Sequence, residues 1–243
     1  MPVVKIGWSG GKDSTCAVMH HIKNGDKVKA VCYIPMFTQE IPLISKKHYS
    51  FILQTAEYFR SLGAEIHIVS GMTYYDYVTH VAQRGKNKGK IFGFPFFVRA
   101  ICGFKRDSKQ KALLACDVGF YDYESLGICA DEKARHKQLN DKKRSILVER
   151  GITQNGTRKF CEEHNLLSPH YLNEWQKRDG CSLCPHASEK ERKVWFSDYP
   201  EAVPIVIELQ ELVKKERPEQ TPLRGHRWFI EPEHYGGNYE KDS

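Results

Sequence analysis

The stretch that decides the fold lies near the start of the chain and is Val3-Val4-Lys5-Ile6-Gly7-Trp8-Ser9-Gly10-Gly11-Lys12-Asp13-Ser14-Thr15. Its apolar first half predicts a buried strand, and residues 13–24 have the periodicity of a helix that stops at Gly25. Between strand and helix, two adjacent glycines allow a tight turn and a close approach of the backbone to a ligand.

The turn at residues 9–14 has the chemistry of a phosphate site. The first N–H groups of a helix have no partner inside it, and the helix dipole favours an anion there. The hydroxyls of Ser9, Ser14 and Thr15 and the charge of Lys12 would add to this attraction. The commonest phosphate loop, Gly, four residues, then Gly-Lys-Ser/Thr, does not match. The sequence therefore predicts a different phosphate-binding loop, and a turn without a ligand is the alternative.

Further along the chain, apolar runs predict four more strands, at residues 28–34, 65–70, 123–128 and 145–148. The predicted helices after the first cover residues 50–62, 73–83, 105–115, 153–164, 189–196 and 202–215. This alternation predicts an α/β fold, a doubly wound, mostly parallel five-stranded sheet, with a C-terminal helical extension that contains cysteines. Ligands of such sheets bind beyond the carboxyl ends of the strands. The turn at residues 9–14 and the segment after Ile34 are therefore expected at one rim.

Length and composition limit the classes of protein to consider. The 243 residues suit one α/β domain with an extension, divided into residues 1–150 and residues 151–243. The net charge of +7 favours anionic partners, from nucleotides to nucleic acid. No apolar run has the length of a membrane span, and the first strand begins too early for a signal peptide. A cytoplasmic location is expected, where the eight cysteines would be reduced.

The strongest cysteine signal is the pair Cys181 and Cys184, which has Cys-x-x-Cys spacing and is followed by proline. Two thiolates at this spacing can hold one tetrahedral metal ion or part of an iron–sulfur cluster, and two further ligands are then needed. The candidates for them are Cys102 and Cys161, with His164 and His186 as weaker options. A four-cysteine set suits both Zn²⁺ and a 4Fe-4S cluster. A redox-active pair and free thiols are the alternatives.

Residues 84–90 form a strongly basic, glycine-spaced segment with the sequence Arg-Gly-Lys-Asn-Lys-Gly-Lys. The segment contains no apolar residue, so a loop is predicted there. Such a loop can bind the backbone phosphates of a nucleic acid. A solvated surface loop is the alternative, and the sequence alone slightly favours it.

Four segments, in order along the chain, resemble the phosphoadenosine phosphosulfate reductase family of the PP-loop (N-type ATP pyrophosphatase) superfamily. They are Ser-Gly-Gly-Lys-Asp-Ser at residues 9–14, Gly-Ile-Cys-Ala-Asp-Glu-Lys-Ala-Arg at residues 127–135, Gly-Ile-Thr at residues 151–153 with Cys161 beyond it, and Gly-Cys-Ser-Leu-Cys-Pro at residues 180–185. The first segment is typical of the superfamily, and the other three in series are typical of its reductase-like branch.

The resemblance implies roles for particular residues. It implies nucleotide binding by Ser9, Gly10, Gly11, Lys12, Asp13, Ser14, Thr15 and Arg135, with adenine near Tyr33, Ile34 and Met36. It implies catalytic roles for Lys12, Asp13, Glu132 and Arg135, and Glu132 would orient Arg135 or help to hold Mg²⁺. An ordinary surface ion pair between Glu132 and Arg135 is the alternative. It also implies a 4Fe-4S cluster or Zn²⁺ held by the thiolates of Cys102, Cys161, Cys181 and Cys184.

The function that the resemblance implies is enzymatic. ATP, or an adenylyl sulfate derivative, would bind with Mg²⁺, an acceptor would be adenylated, and pyrophosphate would leave. Sulfur transfer would follow, with nucleic acid as a candidate acceptor, and a sulfur-donor or other partner protein and a homodimer are further expectations.

Two other functions remain as alternatives. The first is a reductase of adenylyl sulfate or its 3′-phosphate. No cysteine follows Cys184, so Cys129 is its candidate nucleophile. The second is a non-catalytic, zinc-bearing subunit that binds a nucleotide or a nucleic acid.

Overall fold

The structure, a computed structural model, describes residues 1–95, 97–98, 101–173, 180–223 and 228–231. It begins with the predicted strand, β1 (Val3–Trp8), which leads through the glycine turn into helix α1 (Lys12–Lys23). The further strands of this described part are β2 (Lys27–Tyr33), β3 (Glu65–Val69), β4 (Phe97–Val98), β5 (Ile101–Cys102), β6 (Tyr123–Ser125) and β7 (Lys143–Arg144).

The described chain is also rich in helices. After α1 they are α2 (Lys46–Ser61), α3 (Tyr74–Thr79), α4 (Gly103–Ala115), α5 (Ile146–Glu149), α6 (Gln154–Glu163), α7 (Glu189–Asp198) and α8 (Ala202–Glu216), with short 3-10 helices at Lys133–Gln138 and Pro169–Leu172. The longest of them, α2, has 16 residues, and none of the described helices combines the length and hydrophobicity of a membrane-spanning segment.

Five strands form one sheet in the order β3-β2-β1-β6-β7, and every neighbouring pair is parallel. β1 lies at the centre, and Val4, Ile6 and Trp8 on it are almost completely buried. These three residues alternate along the strand and so pack on one face of the sheet, whereas Val3, Lys5 and Gly7 between them are more exposed. The predicted α/β class with a five-stranded parallel sheet is confirmed.

The strand order places the glycine turn where the direction of winding changes. From β1 the chain builds outward through β2 and β3, and it later returns to add β6 on the other side of β1. The segments that follow β1 and β6 therefore leave the sheet side by side, at its carboxyl edge. In open parallel sheets this is the position where ligands bind.

One predicted strand is wrong. Residues 145–148 form not the fifth strand but the start of helix α5, and β7 before them completes the sheet. The reason is a cap: Ser145 Oγ lies 3.4 Å from the N–H of Val148 and donates to the carbonyl of Ile128 at 2.7 Å. A serine at this position favours a helix start, and it outweighs a short apolar run.

The described chain divides into two compact units. Unit 1 comprises Met1–Tyr33, Lys47–Val69 and Leu113–Arg178, and unit 2 comprises Ile34–Lys46, Ser70–Ala112 and Asp179–Ser243. The five-stranded sheet belongs to unit 1. The units interleave along the chain, and the boundary predicted at residue 150 is not one of their limits.

Unit 2 has an aromatic core of its own. Trp195 is completely buried, and its indole N–H donates to the carbonyl of Pro42 at 2.8 Å. Part of the C-terminal tail joins this core, because the side chain of Gln210 on α8 accepts the N–H groups of Phe229 and Ile230. Residues 224–227 and 232–243 of the tail lie outside the described residues.

Candidate functional site

The glycine turn after β1 is closed by its own serines. Ser14 Oγ accepts the N–H of Ser9 at 3.1 Å and lies 3.1 Å from the carbonyl of Gly11. Gly10 has a φ of +77°, and a Cβ at this residue would lie only 2.9 Å from Ile52 Cγ1. A left-handed, close-packed glycine is therefore built into the turn. The first turn of α1 begins directly after it, at Lys12.

Lys12 and Asp13 lie in a network that joins three segments of unit 1. Lys12 Nζ is 2.5 Å from Asp13 Oδ1, and Thr157 Oγ1 on α6 is 2.5 Å from the same oxygen. Cys129 Sγ, which follows β6, donates to that oxygen at 3.3 Å. Both Lys12 and Asp13 remain partly accessible, with side chains 13% and 26% exposed. A cation and an anion are thus held at the carboxyl edge of the sheet.

Thr157 is a site residue that the sequence reasoning missed. It is completely buried, and Lys12 Nζ also donates to its hydroxyl at 3.3 Å. The available signal was the helix start at Thr153, whose side chain accepts the N–H of Gly156 as predicted for a cap. Thr157 lies one turn further along that helix, on the side that faces α1.

Thr15 was expected among the nucleotide-binding residues, but its hydroxyl faces the core. The indole N–H of Trp8 donates to Thr15 Oγ1 at 3.0 Å, and Thr15 is completely buried. The side chain therefore fixes α1 against β1 beneath the turn.

Glu132 and Arg135 form the ion pair that their spacing predicts. Glu132 accepts the backbone N–H of Cys129 and an N–H of Arg135, both at 2.9 Å. The Arg135 side chain is 46% exposed, whereas that of Glu132 is 15% exposed. An exposed ion pair adds little stability, so its main consequence is that the fixed carboxylate orients the arginine.

Three cysteines of unit 1 are held as protonated thiols. Burial, with a further contribution from the Asp13 carboxylate, raises the pKa of Cys129 and of Cys161 to about 12. Burial also raises the pKa of Cys16 to about 12. Cys161 Sγ donates to the carbonyl of Lys12 at 3.4 Å. These thiols are inside the unit rather than displayed for reaction.

The other predicted metal ligands belong to unit 2. Burial raises the pKa of Tyr74 well above its usual value, and the neighbouring side chains of Cys102, Cys181 and Cys184 raise it further. Cys102 directly precedes α4, and the backbone N–H groups of Phe104 and Lys105 partly offset the effect of burial, which raises the pKa of Cys102. These three cysteines therefore lie within electrostatic range of Tyr74.

The four predicted thiolate ligands are divided between the two units. Cys161 lies in unit 1, and Cys102, Cys181 and Cys184 lie in unit 2. No group of three or more His, Cys, Asp or Glu side chains within the described ranges is arranged to hold a metal ion. The described residues therefore present thiols of the right kind but not a formed metal centre.

The residues expected near adenine lie at the end of β2 and directly after it. Tyr33 is the last residue of β2 and pairs with Val69 in unit 1. Ile34 is 2% exposed, and the carbonyl of Met36 accepts the N–H of Tyr74 at 2.8 Å in unit 2. The side chain of Ile34 is therefore used for packing.

A buried pair of imidazoles packs against the glycine turn and was also missed. Ser168 Oγ lies 2.7 Å from His48 Nδ1 and 2.9 Å from His170 Nδ1, and each of the three residues is at most 3% exposed. A Cβ on Gly10 would lie 3.3 Å from His48 Cε1. His48 and Ser168 are 120 positions apart in sequence, so no local pattern reveals this serine-bridged imidazole pair.

Comparisons with known proteins assign no family. The chain matches no protein-family model, and no curated protein matches it significantly. Its function therefore has to be inferred from the residues and their geometry.

Proposed function

We propose that this chain is an ATP pyrophosphatase of the PP-loop type, with a doubly wound fold like that of the adenine nucleotide alpha hydrolases. It would bind ATP, adenylate an acceptor, release pyrophosphate and support sulfur transfer. The observation that carries the proposal is the close-packed glycine turn at the carboxyl edge of β1, with Lys12 and Asp13 at the helix start beyond it.

The chain's own residues account for phosphate binding in this proposal. The N–H groups at the start of α1 and the Lys12 ammonium would neutralise the β and γ phosphates. Arg135, oriented by Glu132 at 2.9 Å, would add charge as pyrophosphate leaves. Groups fixed before the reaction stabilise developing charge without reorganising, which is the main source of such catalysis.

Asp13 and Glu132 are the residues that would hold Mg²⁺. Carboxylate oxygens are the ligands that Mg²⁺ prefers, and Asp13 Oδ2 has no hydrogen-bond partner among the described residues. When bound, the ion would neutralise phosphate charge. No step of the adenylation depends on a cluster or zinc ion at the unit 2 cysteines.

The reductase alternative fits the geometry less well. It needs a nucleophilic thiolate, and such cysteines have lowered pKa values in electropositive, accessible surroundings. Cys129 is buried, its pKa is raised to about 12, and its Sγ donates to Asp13. A Cys129→Ser variant should therefore keep full nucleotide binding and turnover.

The first test of the proposal is ATP binding, because it needs no knowledge of the acceptor. Titration calorimetry with ATP and Mg²⁺ would compare the wild type with Lys12→Gln. Loss of a charged hydrogen bond of about 1.5–3 kcal/mol predicts at least about tenfold weaker binding. Lys27→Gln, an exposed lysine at the start of β2, is the matched control and should bind as the wild type does. Equal affinities of Lys12→Gln and wild type would overturn the proposal.

A further inference from the structure

The positive charge of this chain is concentrated in one segment. Residues 70–112, here called the basic segment, contain nine lysines and arginines and two acidic residues. The other 200 residues contain 28 basic and 28 acidic residues, so the whole net charge of +7 comes from the basic segment. The segment belongs to unit 2, whereas the site described above belongs to unit 1. None of the residues that build the site in unit 1 belongs to the basic segment.

The most basic part of the segment is an ordered hairpin. Val81 and Ile91 form an antiparallel bridge, and residues 81–91 are here called the basic hairpin. The N–H of Ala82 donates to the carbonyl of Lys90, and the N–H of Gly89 donates to the carbonyl of Ala82, both at 2.9 Å. The backbone of the predicted loop is therefore held by its own hydrogen bonds.

Buried polar side chains tie the hairpin to unit 2. Arg217 is 4% exposed, and its guanidinium donates to the carbonyls of Ile91 and Phe92 at 2.8 Å and 3.1 Å. Gln220 accepts the N–H of Phe94 at 3.0 Å. A hairpin anchored in this way presents its charges from a fixed base, which lowers the entropy lost on binding a partner.

The charges of the hairpin point to solvent. Every residue from 84 to 90 is exposed. Arg84, Lys86 and Lys88 form no ion pair with any residue in the described ranges. Helix α4 adds further exposed cations at Lys105, Arg106, Lys109 and Lys111. Of these, Arg106 is paired with Asp107 at 2.6 Å.

We propose that the basic hairpin, together with the exposed lysines of α4, is a binding surface for the phosphate backbone of nucleic acid. Lysines on long stems contact phosphates as point charges, and such contacts give sequence-independent binding. A membrane surface is a poorer partner, because stable attachment to lipid combines basic charge with an apolar insertion or a lipid anchor, and residues 84–90 contain no apolar side chain. Binding of nucleic acid to this surface requires no ATP. Only the further step, in which the bound nucleic acid is the acceptor of adenylation, rests on the proposed function.

The test is a titration of a fluorescent 20-nucleotide single strand, without nucleotide, at several salt concentrations. The full chain would be compared with the triple variant Arg84→Gln, Lys86→Gln and Lys88→Gln. Each lost contact to a single strand flattens the slope of log K against log salt by about 0.7. We therefore expect the slope to flatten by about 2 and the affinity at low salt to fall at least about tenfold.

The matched control is the triple variant Lys27→Gln, Lys142→Gln and Lys143→Gln, which removes the same charge from exposed positions of unit 1. The control should retain the affinity and slope of the wild type. An equal loss in both variants would overturn the proposal, because only net charge would then matter. Tighter binding to vesicles rich in anionic lipid than to the single strand would overturn it in favour of a membrane. ATP binding, measured separately, tests the proposed function and leaves this outcome unaffected.

Discussion

Asp13 contacts three other residues of the candidate site. One of its oxygens is 2.5 Å from the Lys12 ammonium and 2.5 Å from the Thr157 hydroxyl, and it accepts the thiol of Cys129. A thiol that donates to a carboxylate keeps its proton, because the neighbouring negative charge opposes a thiolate. Burial is the larger cause of the raised pKa of Cys129, and the contact that orders Asp13 adds to it.

Alkylation measures this directly. At pH 8, about one in ten thousand thiols with a pKa of about 12 is in the reactive thiolate form. Native Cys16, Cys129 and Cys161 should therefore resist iodoacetamide. Peptide mass spectrometry after a timed reaction would give the extent of labelling of each cysteine. The same reaction in urea is the control and should label all three. Rapid labelling of native Cys129 would revive the reductase alternative.

Ser168 offers a second prediction at a single residue. Its replacement by alanine removes a hydrogen-bond partner from two buried imidazoles, and each such loss costs about 1–3 kcal/mol. The free energy of unfolding, from urea titration, should fall by about 1–3 kcal/mol for each imidazole that loses its partner. ATP binding should also weaken, because His48 packs on the glycine turn. Ser197→Ala on the exposed side of α7 is the control and should change stability by less than about 0.5 kcal/mol. An unchanged Ser168→Ala protein would contradict the structural role.

The glycine turn is the element on which the site is built. Gly10→Ala would force a side chain into left-handed backbone with Ile52 Cγ1 at 2.9 Å. Left-handed backbone alone costs a non-glycine residue about 1–3 kcal/mol. Unfolding measured by circular dichroism should show at least this loss, and calorimetry should show weaker ATP binding.

Gly7 on β1 is the matched control for that substitution. No atom lies within 4 Å of a Cβ built there. Gly7→Ala should therefore retain ATP binding and be neutral or stabilising, because alanine loses less chain entropy than glycine. If both variants bind ATP normally, the turn does not hold phosphate.

Local patterns were sufficient to predict the elements that carry the turn. β1, α1 and the cap of α6 at Thr153 follow from an apolar run, a periodic run and a threonine at a helix start. The prediction of a strand at residues 145–148 was wrong because an apolar run this short fits either a strand or a helix. The capping side chain of Ser145 then favours the helix. Thr157 and Ser168 were missed for a different reason: their partners lie 144 and 120 positions away in sequence. Only the fold brings such residues together.

At the scale of the whole molecule, acid should destabilise the protein. Burial lowers the pKa values of His20 and His21 below their usual 6.5. For His21 this effect exceeds the opposing one of Asp26, which accepts its Nδ1–H at 2.7 Å. The unfolded chain then binds more protons than the folded chain, so this stability is complete above pH 6.5 and is lost as the pH falls through the lowered values.

Urea titrations at pH 7.5 and pH 5.5 would measure the effect, since carboxylates titrate mainly below this range. The free energy of unfolding should be smaller at pH 5.5, by at most about 1.4 kcal/mol per pH unit for each histidine. His21→Gln should flatten this dependence, whatever its effect on stability at pH 7.5. A wild type that is equally stable at both values would show that the two histidines are protonated to the same extent in the folded and the unfolded chain, so that burial does not lower their pKa values.

The serine bridge between His48 and His170 also favours different tautomers in the two rings. Ser168 has one hydroxyl hydrogen, it is completely buried, and its hydroxyl has no third partner among the described residues. The hydroxyl can donate to only one of the two Nδ1 atoms, and it can accept a hydrogen bond from the other. With both hydrogen bonds formed, one ring carries no hydrogen on Nδ1 and the other carries one there. Two histidines that are alike in the sequence are therefore distinguished by a single buried hydroxyl.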